Sequence, residues 1–373
     1  MQHPRNCGFG GLHFARIRFA LDQGSSYLNR LKQRSVGEMK KTNRFALVML
    51  VMAVFLAACG SNDKGGNSSE AGAITLKIAH VGSTTHQYQI AADKFKEIVE
   101  AKTDGAVKVD IYNNGVLGNE NETVEQVMDG TLDITAVVAD SSFANIVPEM
   151  NVFGIPYLFR NLDHVYKTLD GEIGQELIGK ANDKGMKFLG FWEIGFRHFT
   201  NNKVEISNPE DMAGLKIRVQ PSKVWDAHMA VLKANGTPLG FNELYSAMDQ
   251  GVVDGQENPL NTIYSMKFYE VQKYLSLTGH TYSPAAVAMS NKAWKSLSAE
   301  QQKVVEDAFK EAQLFQREKL AEIDKNIIEE IKAEGVIVTE PNIDAFRELT
   351  KEVKDVLSDQ VPAELVERIS NIQ

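Results

Sequence analysis

Cysteine is nearly missing from this chain of 373 residues. Cys7 and Cys59 are the only two, and neither has a neighbour at metal-ligand spacing, so disulfide frameworks, zinc ribbons and CxxC redox chemistry are excluded. Proline is scarce, at 10, and 43% hydrophobic with 24% charged residues is a globular composition, far from collagen-like or low-complexity chains. An excess of cations is missing too: 40 basic against 49 acidic residues leave a net charge of −9, which argues against a nucleic-acid binder with a basic face. The chain lacks GxSxG, HExxH, P-loop and GxGxxG patterns, so no catalytic nucleophile, metal site, phosphate cradle or cofactor is expected. Its length exceeds what one hydrophobic core usually holds, which points to two domains plus processing segments.

What is present begins with an address. Met39-Lys40-Lys41-Thr42-Asn43-Arg44 supplies three cations and is followed by fourteen uncharged residues, Phe45 to Ala58, the layout of a signal peptide. At about 1.5 Å per residue that run covers about 21 Å, short of a hydrocarbon core of about 30 Å, which disfavours a permanent span. It closes on Leu56-Ala57-Ala58-Cys59-Gly60, which resembles the lipobox of bacterial lipoproteins and implies cleavage before Cys59 and lipid attachment to it. Residues 1–58 are therefore read as a signal peptide with a misassigned upstream extension, the true start being expected at Met39. Residues 59–73 are read as a lipidated flexible tether, since the Gly, Ser and Asn of Ser61 to Gly72 cannot build a core. Removing the nine basic and two acidic residues before Cys59 leaves 31 and 47, a net charge of −16. Any anionic ligand then needs dedicated local cations.

From Ile74 onward strands and helices alternate. Ile74, Leu76 and Ile78 predict a strand, Ile90, Ala91, Phe95, Ile98 and Val99 a helical stripe ending near Gly105, and Val107, Val109 and Ile111 a second strand. A helix over Glu120 to Asp129 and a strand over Asp133 to Val138 complete a βαβαβ series, hence a parallel sheet covered by helices. A second series comprises strands at Met186 to Trp192, Phe196 to Asn201 and Lys216 to Val219, with helices at Lys223 to Ala234 and Asn242 to Gln250. Val252-Val253 leads into a loop at Asp254-Gly255, within a polar cluster over Val253 to Leu260. Ser298 to Glu334 reads as one long helix with a Ser298–Gln301 capping box and Gly335 as its stop. It either bridges two α/β lobes or is kinked.

Beyond Cys59 the chain has 25 lysines but six arginines: Arg160, Arg197, Arg218, Arg317, Arg347 and Arg368. Arginine among apolar neighbours is informative because its planar fork grips a carboxylate with two parallel hydrogen bonds. Arg218 ends a predicted strand, Leu215-Lys216-Ile217-Arg218-Val219, and the crevice beyond strand ends is where open parallel sheets bind ligands. Arg197 lies between aromatic residues in Gly195-Phe196-Arg197-His198-Phe199. Each arginine fits either a structural ion pair or a ligand contact. In the segment Val253 to Leu260, Asn258 can donate an amide N–H to a ligand oxygen, and Pro259 fixes the chain leaving it.

Three motifs in order, Phe196-Arg197-His198-Phe199-Thr200-Asn201, Met212 to Val219, and Asp254 to Pro259 followed by Lys267 to Tyr274, resemble the solute-binding receptors of TRAP transporters, DctP type. The likeness runs from about Ile74 to the C-terminal helices. It implies an α/β, two-lobed periplasmic-binding-protein-like fold (type II), with lobe I over 74–194 and 284–323 and lobe II over 195–283 and 324–373. It further implies capture of a small organic acid, a C4-dicarboxylate or a sugar acid such as a uronate, and delivery to integral membrane subunits. By resemblance Arg218 takes the ligand carboxylate bidentately, Arg197 is a second contacting arginine and Asn258 an amide on the same carboxylate. The sialic-acid receptors of the family carry another arginine after the third strand, where this chain reads Ala139-Asp140-Ser141-Ser142-Phe143, so sialic acid is disfavoured.

His80, His86 and Gln87 follow the first strand, where a first-lobe contribution is expected, although a lone histidine also serves as a local hydrogen-bonder. Trp192 fits the floor under a sugar ring or a packed hinge, and Glu193 a ligand contact or a partner for arginine. Two rival functions stay open. One is the binding lipoprotein of an ATP-driven importer; the other is a lipid-anchored enzyme using His80, Asp254 and Glu257.

Overall fold

The computed structural model describes residues 73–373, so the expected signal segment, Cys59 and the tether up to Gly72 lie outside the described residues. Strand β1 (Ile74–Ala79), helix α1 (Gln87–Lys102), β2 (Val107–Tyr112), α2 (Glu120–Asp129) and β3 (Ile134–Val138) form the expected βαβαβ series, with β1 parallel to both β2 and β3. Alternation drives it: Leu76 and Ile78 of β1 are buried with Phe95, Ile98 and Val99 of α1 in one core. Helix α2 starts at an Asn119–Glu122 capping box and stops at Gly130, whose left-handed φ of 79° suits glycine.

Two helices, α3 (Leu162–Asp170) and α4 (Glu172–Asn182), then lead to β4. The sequence pattern predicted two strands there, Met186 to Trp192 and Phe196 to Asn201. The structure instead holds one strand of 16 residues, Met186–Asn201. The alternation breaks because the pairing register shifts at Phe188/Gly190 and Glu193/Gly195, where both glycines have positive φ. At Gly190 a Cβ would lie 2.6 Å from the Phe309 ring, so glycine there lets the long helix approach.

Strand β4 belongs to two sheets. Its first half pairs with β9 (Tyr282–Ser290), which also pairs with β3, while its second half pairs with β7 (Gly255–Pro259). Beyond β7 lie β5 (Lys216–Val219) and β6 (Asn235–Pro238), giving the order β2-β1-β3-β9-β4-β7-β5-β6; off this path β8 (Tyr274–Ser276) pairs with β4, and β10 (Ile337–Thr339) pairs with β8. Helices α5 (Lys223–Val231), α6 (Leu244–Asp249) and α7 (Leu260–Ser265) pack beside the second sheet, and α8 (Asn291–Ser296) beside the first. The polar segment expected as a loop is a correction: Gly255 to Pro259 is an interior strand, antiparallel to β4 and parallel to β5. Its polar side chains are buried because they bond to one another and to β4.

The long helix is α9 (Ala299–Ala333), capped by the Ser298–Gln301 box, and it bridges rather than serving one sheet. Val305, Ala308, Phe309 and Ala312 join the core of the first sheet, whereas Ile327 and Ile331 join a separate core with Leu244, Phe268 and Leu275. Helices α10 (Ile343–Thr350), α11 (Val353–Val356) and α12 (Ala363–Ser370) end the chain.

Candidate ligand-binding site

A narrow crevice lies between the two sheets. Val81, His86, Tyr88, Glu120 and Val138 line it from the first, Arg218, Gln220, Phe241, Asn258 and Thr262 from the second, and Ile194 of β4 closes its base. It spans about 310 Å³ of atom-free space, counted out to its mouth on open solvent. The walls are close together, as in a receptor drawn shut.

Arg218 reaches it from β5 and is buried. Its Nε and Nη2 donate to Leu239 O at 3.0 and 2.8 Å, and none of the arginine ion pairs among the described residues includes it. Burial lowers its pKa to about 10, so it stays a cation at neutral pH. A guanidinium has five N–H donors. Arg218 therefore keeps donors in reserve in a place where unpaired charge is costly, which is the condition for strong carboxylate capture.

Arg197 is arranged differently. From β4 it clasps Glu257 of β7 with Nε–Oε2 at 2.5 Å and Nη2–Oε1 at 3.0 Å, both side chains being fully buried. The pair holds the Glu257 pKa below and the Arg197 pKa above their usual values, against the opposing pull of burial. Arg197 Nη1 is buried without a partner among the described residues, and Arg197 itself stands outside the crevice lining. Nη2 also donates to Asn258 Oδ1 at 3.2 Å, and Asn258 Nδ2 donates to Gln256 Oε1 at 2.5 Å, so the pair aims the Asn258 amide.

The first-lobe candidates divide. His86 lines the crevice, accepts from Tyr88 N–H through Nδ1 as the cap of α1, and lies 3.3 Å from Thr262 Oγ1 through Nε2. Burial holds its pKa well below the ordinary histidine value, so it is neutral. Gln87 Nε2 donates to Thr262 Oγ1 at 2.7 Å and ties α1 to α7 without lining the crevice. His80 is buried against Gln89 at 3.2 Å, its pKa lowered to about 4 by burial, and stands outside the lining. Trp192 stacks on Phe309 of α9, centroids 5.7 Å apart and planes 10° apart, in the core of the first sheet. Glu193 accepts from Tyr166 O–H at 2.5 Å and lies away from the crevice.

Five polar or aromatic lining residues escaped the sequence reading: Tyr88, Glu120, Gln220, Phe241 and Thr262. Gln220 had a signal, since it stands two residues after Arg218 and a strand's period is two. Glu120 hid as the first residue of a helix, where an acid is ordinary.

Comparison with known proteins decides the family. The family model for bacterial extracellular solute-binding protein, family 7 (DctP) matches residues 78–360. The chain belongs to that family. The 2,3-diketo-L-gulonate-binding periplasmic protein YiaO of Escherichia coli K12 is 35% identical over 311 residues, 82% of this chain and 94% of that protein. A TRAP periplasmic solute-binding protein from a Polaromonas species, solved with D-erythronate, superposes with a TM-score of 0.78 at 36% identity, covering 80% of this chain and 99% of that one. Another, from Sulfurospirillum deleyianum with succinate, gives 0.77 at 34%, with 80% and 99% covered. This DctP-family chain shares with them the mixed α/β, two-lobed architecture of TRAP solute-binding proteins.

Proposed function

We propose that the protein is an extracytoplasmic receptor that captures a small organic acid in the crevice and hands it to the membrane subunits of a TRAP transporter. The carrying observation is Arg218, a buried guanidinium whose hydrogen bonds among the described residues go to one backbone carbonyl, at a crevice also lined by the amides of Gln220 and Asn258, a neutral imidazole and the Glu120 carboxyl. One ligand carboxylate takes two N–H groups of Arg218, Asn258 adds an amide, and Arg197, which stands outside the lining, acts by fixing Asn258. Residues 74–194 with 284–323 and residues 195–283 with 324–373 form the lobes that close over the ligand; the change of pairing partner along β4, from β9 through Phe196 to β7 from Arg197, lies close to that division and supports it.

Relatives named for solute binding favour a receptor without catalysis, and uptake is then driven by the membrane subunits. Cleavage before Cys59 and its lipidation would hold the receptor at the outer face of the membrane. The test is calorimetric titration, after a thermal-shift screen of dicarboxylates, uronates, aldonates and keto acids has chosen the ligand. A charged hydrogen bond is worth about 1.5–3 kcal/mol, so loss of two in Arg218→Ala weakens binding by about a hundredfold or more. Arg218→Lys fails as well, because the fork is lost. Unchanged affinity in either variant refutes the role of Arg218.

A further inference from the structure

The crevice holds one cation without a carboxylate partner, Arg218, and one carboxylate that forms no ion pair among the described residues, Glu120. Glu120 opens α2. Its Oε1 accepts from Val138 N–H at 3.0 Å, and its Oε2 is 3.4 Å from Ser142 Oγ, so lone pairs on both oxygens stay open toward the crevice. Burial pushes its pKa up, while the fields of Arg218 and Arg197 oppose that rise. Among the described residues lining the crevice Arg218 is the one cation; Arg197 stands outside the lining, paired with Glu257, and His86 is neutral.

A ligand with a single carboxylate can seat it on Arg218 and turn hydroxyl groups toward Glu120 and the amides of Asn258 and Gln220. Gln220 Nε2 is buried without a partner and suits a hydroxyl oxygen. A dicarboxylate of the same length brings a second carboxylate up against Glu120, with no second free cation among the described lining residues to receive it. We propose that the site selects hydroxylated monocarboxylates over dicarboxylates, with Glu120 as the specificity residue that accepts ligand hydroxyls and repels a second carboxylate. The inference rests on the receptor reading above.

The test is calorimetry at pH 7.5 on the purified protein with D-erythronate, D-galactonate, D-glucuronate and 2,3-diketo-L-gulonate against succinate and malate. Two unit charges about 6 Å apart at an effective dielectric constant of about 20 repel enough for a penalty of about 100-fold. The best monocarboxylate is therefore expected to bind at least ~30-fold more tightly than the best dicarboxylate, and Glu120→Gln to narrow that ratio about tenfold as the dicarboxylate gains. An unchanged ratio in a folded Glu120→Gln variant, or a dicarboxylate that binds the wild type as tightly as any monocarboxylate, overturns the inference and leaves the receptor standing. Should Glu120→Gln fail to fold, since Glu120 also anchors Val138 N–H, the wild-type ratio decides alone. Silence toward all six acids and toward the wider screen removes receptor and inference together.

Discussion

Two buried arginines stand on either side of strand β7, and they have opposite surroundings. Arg197, on β4, spends its fork on Glu257 and reaches Asn258 with what remains. Arg218, on β5, forms no ion pair among the described residues and gives one edge of its guanidinium, Nε and Nη2, to one carbonyl, Leu239 O, which leaves its Nη1 edge for a ligand. Taking a charge out of water costs several kcal/mol unless a partner compensates, and the compensation for Arg197 is built into the chain. For Arg218 it is left to a ligand. The pair shows how a receptor can place one cation as framework and another as grip within a single sheet, the former tied to the stability of the fold and the latter to its occupancy.

The contrast breaks most visibly at Arg197. Arg197→Ala leaves Glu257 buried without its guanidinium, beside only the His280 imidazole at 3.5 Å, and a cost of about 3–5 kcal/mol in unfolding free energy is expected from denaturant titration. In Arg218→Ala the loss appears in ligand affinity instead, about a hundredfold or more, with a thermal midpoint close to wild type because the deleted charge formed no ion pair among the described residues. If Arg218→Ala unfolds the protein and Arg197→Ala does not, the assignment of framework and grip is reversed.

A third buried charge on β4 sharpens the contrast. Glu193 has a phenol, Tyr166, where Glu257 has a guanidinium, and burial raises its pKa to about 7 where that of Glu257 is lowered. A carboxyl whose folded-state pKa lies above its unfolded value holds its proton more tightly in the fold. Its stabilising contribution is complete below about pH 4.5 and is lost as pH rises through about 7. Glu193→Gln removes this dependence. Relative to wild type the variant is expected to gain about 1–2 kcal/mol between pH 5 and pH 8, read from denaturation curves at both values. A difference that stays flat across that window means that Glu193 does not titrate there.

The same chemistry explains what could be read from the sequence. The βαβαβ series was legible because Leu76, Ile78, Val107 and Val109 alternate with polar residues on half-exposed strands. The long helix was legible from its Ser298–Gln301 box and an apolar stripe. Strand β9 left no such trace: Tyr282 to Ser290 is buried throughout, so both faces demand small or apolar residues and the period of two disappears. Strand β7 was hidden for the opposite reason. Its Gln256, Glu257 and Asn258 look like a turn and are buried only because Thr200, Arg197 and one another satisfy them. Arg218 stood out through the scarcity of arginine, but the partner of Arg197 lies 60 residues away and no local pattern announces it.

The central claim is that Arg218 receives the carboxylate of the captured acid. The most direct test is a crystal structure of the protein with the tightest acid from the screen. The account predicts a ligand carboxylate with both oxygens at about 2.7–2.9 Å from two nitrogens of the Arg218 guanidinium, with Asn258 alongside. A ligand bound in the crevice with its carboxylate elsewhere, and Arg218 still bonded to Leu239 O alone, would contradict it.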